Sequence, residues 1–198
     1  MLDLLLRDKL FFAKNERYFE NYAAYQVFDE WAAKSPAGSN RIIFTPWLYG
    51  ERTPIEDHTV RGGFHNLSLT ARKEHIVRAV FEGVAFNSRW ILQYVERFIG
   101  RQMNPLNIIG GGAQSDIWCQ IYADILNRTI RQVEDPIQAN ARGAAFIASV
   151  ALGFITFNDI PNYIQFTKEF QPNPKHRKIY DELFGEFLGI YKSNKAIY

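Results

Sequence analysis

Three consecutive glycines, Gly110-Gly111-Gly112, followed by Ala113, Gln114 and Ser115, are the residues whose types and spacing point most directly to chemistry. Glycine has no Cβ, so such a run lets a flat base or a phosphate come into contact with the main chain. It also permits the positive φ values that a tight turn needs. The apolar run Leu106 to Ile109 before it predicts a short strand. A helix is predicted from about Ser115 to Asn127, and its first turn would offer unpaired N–H groups. From the residues alone, this unit reads equally as a plain strand-to-helix turn or as a nucleotide site, although three glycines are more than such a turn usually requires. No Gly-Lys-Ser/Thr follows, so it is not a P-loop, and the spacing is not Gly-x-Gly-x-x-Gly, which argues against a dinucleotide fold. Contact with an adenine and a ribose suits it better than a phosphate cradle.

Other chemistry-bearing residues read as structural. Glu51 and Arg52 lie in a Gly/Pro loop where turn chemistry is the simpler role. Glu82 follows Arg78 by four residues on a predicted helix, a spacing for a buried or half-buried ion pair rather than for acid-base work. His58, His65, His75 and His176 lack the spacing that metals favour, so no protein metal site is expected. Trp118 and Tyr122 are spaced as one helix face and read as core. Cys119 is the single cysteine, which forms no intrachain disulfide and suits a reducing compartment.

The elements that would position the glycine run follow from periodicity. Apolar residues from Leu2 to Phe12 and from Tyr22 to Trp31 predict two helices, ended by the turn-forming cluster Ser35 to Asn40. Ile42-Ile43-Phe44 and Phe64 to Leu69 are strand candidates. The clearest helix runs from Arg72 to Ile99, with Thr70 as its expected N-cap and Gly100 ending it. In it, Ala79, Gly83 and Ala85 are small enough for another backbone to approach. Thr129 to Val133 predicts a strand, Asp135-Pro136 a turn, and Ala139 to Leu152 a helix in which Gly143-Ala144-Ala145 suggests close packing. A last helix is expected from about Lys175 to Tyr191. Strands alternating with helices predict an α/β fold with crossover connections, and with no linker or repeat a single domain spanning 1–198 is the simplest organisation.

Composition limits the function classes. The chain has 198 residues, 47% of them hydrophobic and 22% charged, which suits a globular domain with a sizeable core. A formal net charge of only +2 gives no global basic field for nucleic acid. The densest basic run, Lys175-His176-Arg177-Lys178, reads as a solvated helix entrance. Asp3, Arg7 and Asp8 interrupt the apolar start, so neither a signal peptide nor a membrane span is expected, and a cytoplasmic location fits.

The segment from Gly110 to Leu126 (GGGAQSDIWCQIYADIL) resembles the adenosine segment of the FGGY carbohydrate kinases, most closely the xylulokinase-like branch. Leu48-Tyr49-Gly50-Glu51-Arg52-Thr53-Pro54 is similar to the family's Gly-Glu-Arg-x-Pro loop. Gly62 through Glu82 follows its second signature, with His75, Ala79 and Glu82 in register and Asn66 where glycine is expected. Ala141 to Ala148 and Phe170 to Tyr180 also agree. Asparagine tolerates the left-handed conformation better than most residues, so the turn at Asn66 is expected to survive.

The resemblance implies a ribonuclease H-like lobe of the actin and hexokinase type, incomplete on its N-terminal side, in an enzyme that closes on ATP. Gly111 would lie against the adenine and Ser115 within reach of the base, with Gly110, Gly112, Ala113 and Gln114 lining the same wall. Magnesium would arrive with the ATP. The family's catalytic aspartate and its Asp-x-Gly-Thr and Gly-Thr phosphate hairpins have no counterpart here, so no catalytic residue is assigned and the chain reads as truncated. The expected activity is phosphorylation of a sugar, xylulose or a related ketose or polyol, in partnership with a missing N-terminal lobe. The isolated chain would be inactive and prone to self-association, with a homodimer as one possibility. The alternative is a non-catalytic lobe that binds nucleotide or a partner chain.

Overall fold

The computed structural model describes residues 22–195. The helix expected around Leu2 to Phe12, and the charged residues that interrupt it, lie outside them. The chain divides into two compact units, one comprising residues 1–84 and 183–198 and the other residues 85–182.

In the first unit, helix α1 (Tyr22–Lys34) stops where the sequence becomes turn-forming. Gly38, Ser39, Asn40 and Arg41 all take positive φ, at 83°, 51°, 52° and 64°. Three of these are not glycine, so the turn must be held from outside. The holder is Glu82, whose Oε1 accepts from the Gly38 N–H (2.9 Å) and whose Oε2 accepts from the Ser39 hydroxyl (2.6 Å). Arg78 Nε donates to the same carboxylate at 2.7 Å, and its Nη1 donates to the carbonyls of Ala32 and Ser35. The expected ion pair is therefore present and fully buried.

Strand β1 (Ile43–Thr45) pairs antiparallel with β2 (Gly63–His65). The second strand is shorter than Phe64 to Leu69 because Asn66 turns to φ 62° and Leu67 and Leu69 are exposed. Asn66 thus adopts the conformation expected where the family has glycine. Helix α2 (Lys73–Ile99) starts three residues after Thr70, which is not its N-cap. The Thr70 hydroxyl is engaged with Ser68 Oγ (2.9 Å), and the Arg72 N–H donates instead to Nδ1 of His75 (3.3 Å). Ala79 is buried in a cluster with Ile42, Phe44 and Val80, and a Cβ on Gly83 would collide with the Phe44 main chain. Trp47 is fully buried, with Phe187 and Tyr191 rings at 5.1 and 5.5 Å.

The second unit holds a three-stranded sheet in the order β3-β4-β5. β3 (Leu106–Ile108) runs parallel to β4 (Ile130–Val133), and helix α3 (Asp116–Leu126) makes the crossover. β5 (Phe166–Phe170) adds antiparallel to β4, and the sequence reading missed it. Cys119, Ala123 and Ile130 form the core beneath α3, with Leu106, Ile108, Tyr122 and Phe170 against it. Helix α4 (Ala139–Ala151) corrects an expectation: it buries no residue, Gly143 has open space around it, and Ala144 and Ala145 are exposed, so its small residues mark no close packing. Helix α5 (Arg177–Asn194) follows a short turn at Pro174–His176 and ends the described chain. Among the described residues, no helix is long and apolar enough to cross a membrane.

Candidate functional site

The glycine run sits between β3 and α3. Gly110 has φ 86° and ψ −175°, a region that only glycine populates readily, and it turns the chain out of the strand. Residues Gly111–Gln114 then form one turn of 3₁₀-helix. Ser115 is the N-cap of α3, with its Oγ accepting from the Trp118 N–H at 3.1 Å, and Asn127 closes the far end in the left-handed conformation. The helix boundaries thus agree with the sequence reading, and the cap residues explain them.

The three glycines have different reasons. A Cβ on Gly110 or Gly111 would meet nothing within 4 Å, so both face open space. A Cβ on Gly112 would lie 2.9 Å from the Trp118 ring, so this position is glycine because the indole packs beneath it. Trp118 and Tyr122 stand 6.2 Å apart as neighbours on α3. Burial raises the pKa of the Tyr122 phenol, which shares a 3.3 Å hydrogen bond with Ser88, and the pair reads as packing.

Ala113 has no exposed surface, so it offers no accessible face to a ligand. Its part is to anchor the loop: its carbonyl accepts from Gln132 Nε2 at 2.5 Å, with Cys119 Sγ at 3.6 Å. Gln132, on β4 and buried, also accepts from the Thr167 hydroxyl through Oε1 at 2.7 Å. One amide thereby ties the central strand, β5 and the glycine loop together. The sequence reading missed Gln132; its signal was a polar residue two positions from Ile130, on the inward face of a strand. A further tie joins the Gly110 N–H to the Pro136 carbonyl at 2.8 Å, at the turn Pro136–Gln138.

The remaining surface is formed by Gly110, Gly111, Gln114 and Ser115, all at least partly accessible. Asp116 sits in the first turn of α3 and is paired with Lys168, so a carboxylate already occupies the positive end of the helix dipole. The face over Gly110 and Gly111 is open main chain, and a side chain at Gly111 would cover it.

The Gly50–Pro54 loop is a separate feature of the first unit. Glu51 Oε1 accepts from the main-chain N–H groups of Arg52 (2.7 Å) and Thr53 (3.0 Å), and the main chains of Glu51 and Asp57 pair in both directions at 2.8 Å. Glu51 is engaged as turn chemistry requires. Asp57 is buried, and its Oδ1 accepts from the Thr59 hydroxyl (2.7 Å), the Thr59 N–H (3.0 Å) and the Val60 N–H (3.2 Å). Its Oδ2 accepts from the Tyr191 hydroxyl at 3.1 Å. These donors, the Thr59 hydroxyl foremost, hold its carboxyl at about 2.

Comparison with known proteins gives a consistent result. Residues 5–152 match the FGGY family of carbohydrate kinases, C-terminal domain. The xylulose kinase of Staphylococcus epidermidis is 34% identical over 184 residues, covering 92% of this chain and 36% of that protein. The ligand-bound xylulose kinase from Lactobacillus acidophilus superposes with a TM-score of 0.73 at 33% identity, covering 90% of this chain and 36% of that one. The gluconate kinase from the same organism gives 0.74 at 32% identity, with 95% and 38% covered. The chain spans little more than a third of these relatives. Its α/β fold is that of their C-terminal part, of the ribonuclease H-like type shared with actin and hexokinase.

Proposed function

From the premise that the chain belongs to the FGGY family of carbohydrate kinases as its C-terminal domain, we propose that it supplies the adenosine side of the ATP site in an ATP-dependent sugar kinase. The observation that carries this reading is the open glycine face at Gly110 and Gly111, in a loop that leads from β3 into the N-terminus of α3. The loop holds the base, and the phosphates extend away from it. Xylulose is the proposed substrate, on the strength of the xylulose kinase relative, with a related ketose or polyol as the wider class. Magnesium enters with the nucleotide as the phosphates' counter-ion.

Phosphoryl transfer depends on positioning and on electrostatic stabilisation of the phosphates. The family's Asp-x-Gly-Thr and Gly-Thr hairpins have no counterpart in this sequence, and loss of a general base alone costs about a hundredfold to ten-thousandfold in rate. The chain by itself is therefore expected to bind adenine nucleotide weakly and to turn over no sugar. The test is an assay of the purified chain with ATP and a panel of sugars, alone and with the N-terminal remainder of a xylulose kinase. Activity only in the mixture supports the proposal, while turnover by the lone chain at the roughly 1 to 100 per second of ordinary kinases would refute it.

A second reading, a lobe that binds a partner without chemistry of its own, is favoured by one observation. Ile147, Leu152, Phe154 and Phe157 are 64 to 76% exposed, an apolar density unusual for a free surface. Association with a partner and no activity in the mixture would select it.

A further inference from the structure

The basic run Lys175 to Lys178 is more than a solvated helix entrance. His176 lies where the short turn Pro174–His176 passes into α5, and its Nδ1 is 2.7 Å from Oδ2 of Asp124 on α3. The Asp124 side chain is 1% exposed and that of His176 34%, so the bond joins an accessible ring to a buried carboxylate. The carboxylate is itself fixed. Its Oδ1 accepts from Gln120 Nε2 at 2.7 Å and from the Asn173 N–H at 2.8 Å. An edge-to-face contact with the buried Tyr180 ring, 6.2 Å away, sets the plane of the imidazole.

A carboxylate only accepts, so the proton of a neutral His176 ring sits on Nδ1 and the lone pair on Nε2. A histidine oriented in this way through one nitrogen can use the other as a metal ligand or as a nucleophile. Metal binding needs companions, and among the described residues no group of three or more His, Cys, Asp or Glu side chains is placed to hold an ion. A surface nucleophile needs only a donor that comes to it. The charges around His176 suit an anionic one, since Lys175 and Lys178 are exposed on either side and α5 presents the positive end of its dipole.

We propose that Nε2 of His176 is a phosphoryl acceptor, modified by a donor of the phosphoramidate class. The Nε2 lone pair forms the new N–P bond as the N–P bond of the donor breaks. The donor nitrogen, already protonated, leaves as a neutral amine with that electron pair. Nδ1 keeps its proton, so the product ring is formally cationic, and the Asp124 carboxylate at 2.7 Å balances that charge.

His58 is a built-in control. Its side chain is 68% exposed and its Nε2 lies 3.1 Å from the exposed Glu56, so accessibility alone would favour it over His176. The test incubates the whole chain with potassium phosphoramidate, locates the label by electron-transfer fragmentation and identifies the modified nitrogen by phosphorus NMR. His176 is expected to be labelled at Nε2 at least tenfold faster than His58, His65 or His75. Asp124→Asn, which keeps the shape and removes the charge, should slow labelling of His176 at least tenfold and leave His58 unchanged. His176→Asn, whose amide can still reach Asp124, should lose the label and keep the wild-type urea midpoint.

Labelling of His58 as fast as His176 would overturn the proposal, and so would a wild-type chain with no label at His176. An Asp124→Asn chain labelled at the wild-type rate would overturn the part given to the carboxylate. If circular dichroism shows that Asp124→Asn does not fold, the ratio of His176 to His58 labelling in the wild-type chain still decides.

Discussion

Gln132 Nε2 reaches across from β4 to the carbonyl of Ala113 at 2.5 Å, and this single side chain fixes the glycine loop to the sheet. Both partners are buried, so neither can turn to water if the other is removed. Gln132→Leu keeps the volume and leaves the Ala113 carbonyl and the Thr167 hydroxyl without this partner. An unsatisfied buried group costs about 1–3 kcal/mol. Urea unfolding should show a loss in that range, and adenine-nucleotide titration should show weaker binding, because the loop loses its anchor.

Gly110 and Gly111 are expected to fail differently. Gly110→Ala places a side chain in free space but in a backbone region that alanine avoids, so the cost is conformational, about 1–3 kcal/mol. Gly111→Val should leave the unfolding midpoint nearly unchanged and lower nucleotide affinity at least tenfold, because the added methyl groups would occupy the proposed base position. Calorimetric titration with ATP beside a thermal melt separates the two effects. Equal affinity for wild type and Gly111→Val would take the loop out of the site.

Asp57 should make stability depend on pH in the acid range. Its folded pKa of about 2 lies below its ordinary value of 3.8, so its carboxylate stabilises the fold fully above about pH 4. That stabilisation diminishes as pH falls toward 2, where the folded form also takes up the proton. Asn at this position cannot ionise, so Asp57→Asn should be less stable at pH 6 and show a shallower loss between pH 4 and 2. Urea midpoints measured across pH 2–6 check this, and parallel curves for the two proteins would contradict it.

The Arg78–Glu82 pair should be costly to break, and the two residues should be coupled. Glu82→Ala strands a buried guanidinium and releases the positive-φ turn at Gly38 and Ser39, which together should cost at least the 3–5 kcal/mol typical of a broken buried pair. The double variant Arg78→Met with Glu82→Leu should cost less than the sum of the two single changes. A double-mutant cycle in urea measures the difference, and additive costs would mean that the two residues act independently.

Much of this was legible in the sequence because the determinants are local. Helix α2 and helix α3 announce themselves through apolar spacing, and Ser115 and Asn127 mark the ends of α3 by residue type alone. Asn66 could be read as left-handed because its neighbours fitted a signature that has glycine there. What was not legible depends on partners distant in sequence. β5 (FTKEF) is mostly exposed and has a polar interior, so nothing in its own pattern marks a strand until β4 lies beside it. Thr70 looked like a cap because its type suited one, but the main chain reached the helix only at Lys73. The small residues of α4 suggested burial, and among the described residues they stay exposed or half-buried. For the glycine loop, sequence located the open face but not its supports, since Gln132 and Pro136 reach it across 19 and 26 residues.

The bond from the Gly110 N–H to the Pro136 carbonyl has an implication for how a ligand would be received. With Gln132 at its other end, the loop is clamped twice before any nucleotide arrives, so its main chain has little disorder left to lose on binding. Recognition at this wall would proceed by docking onto a finished surface, with association kinetics close to those of a rigid body.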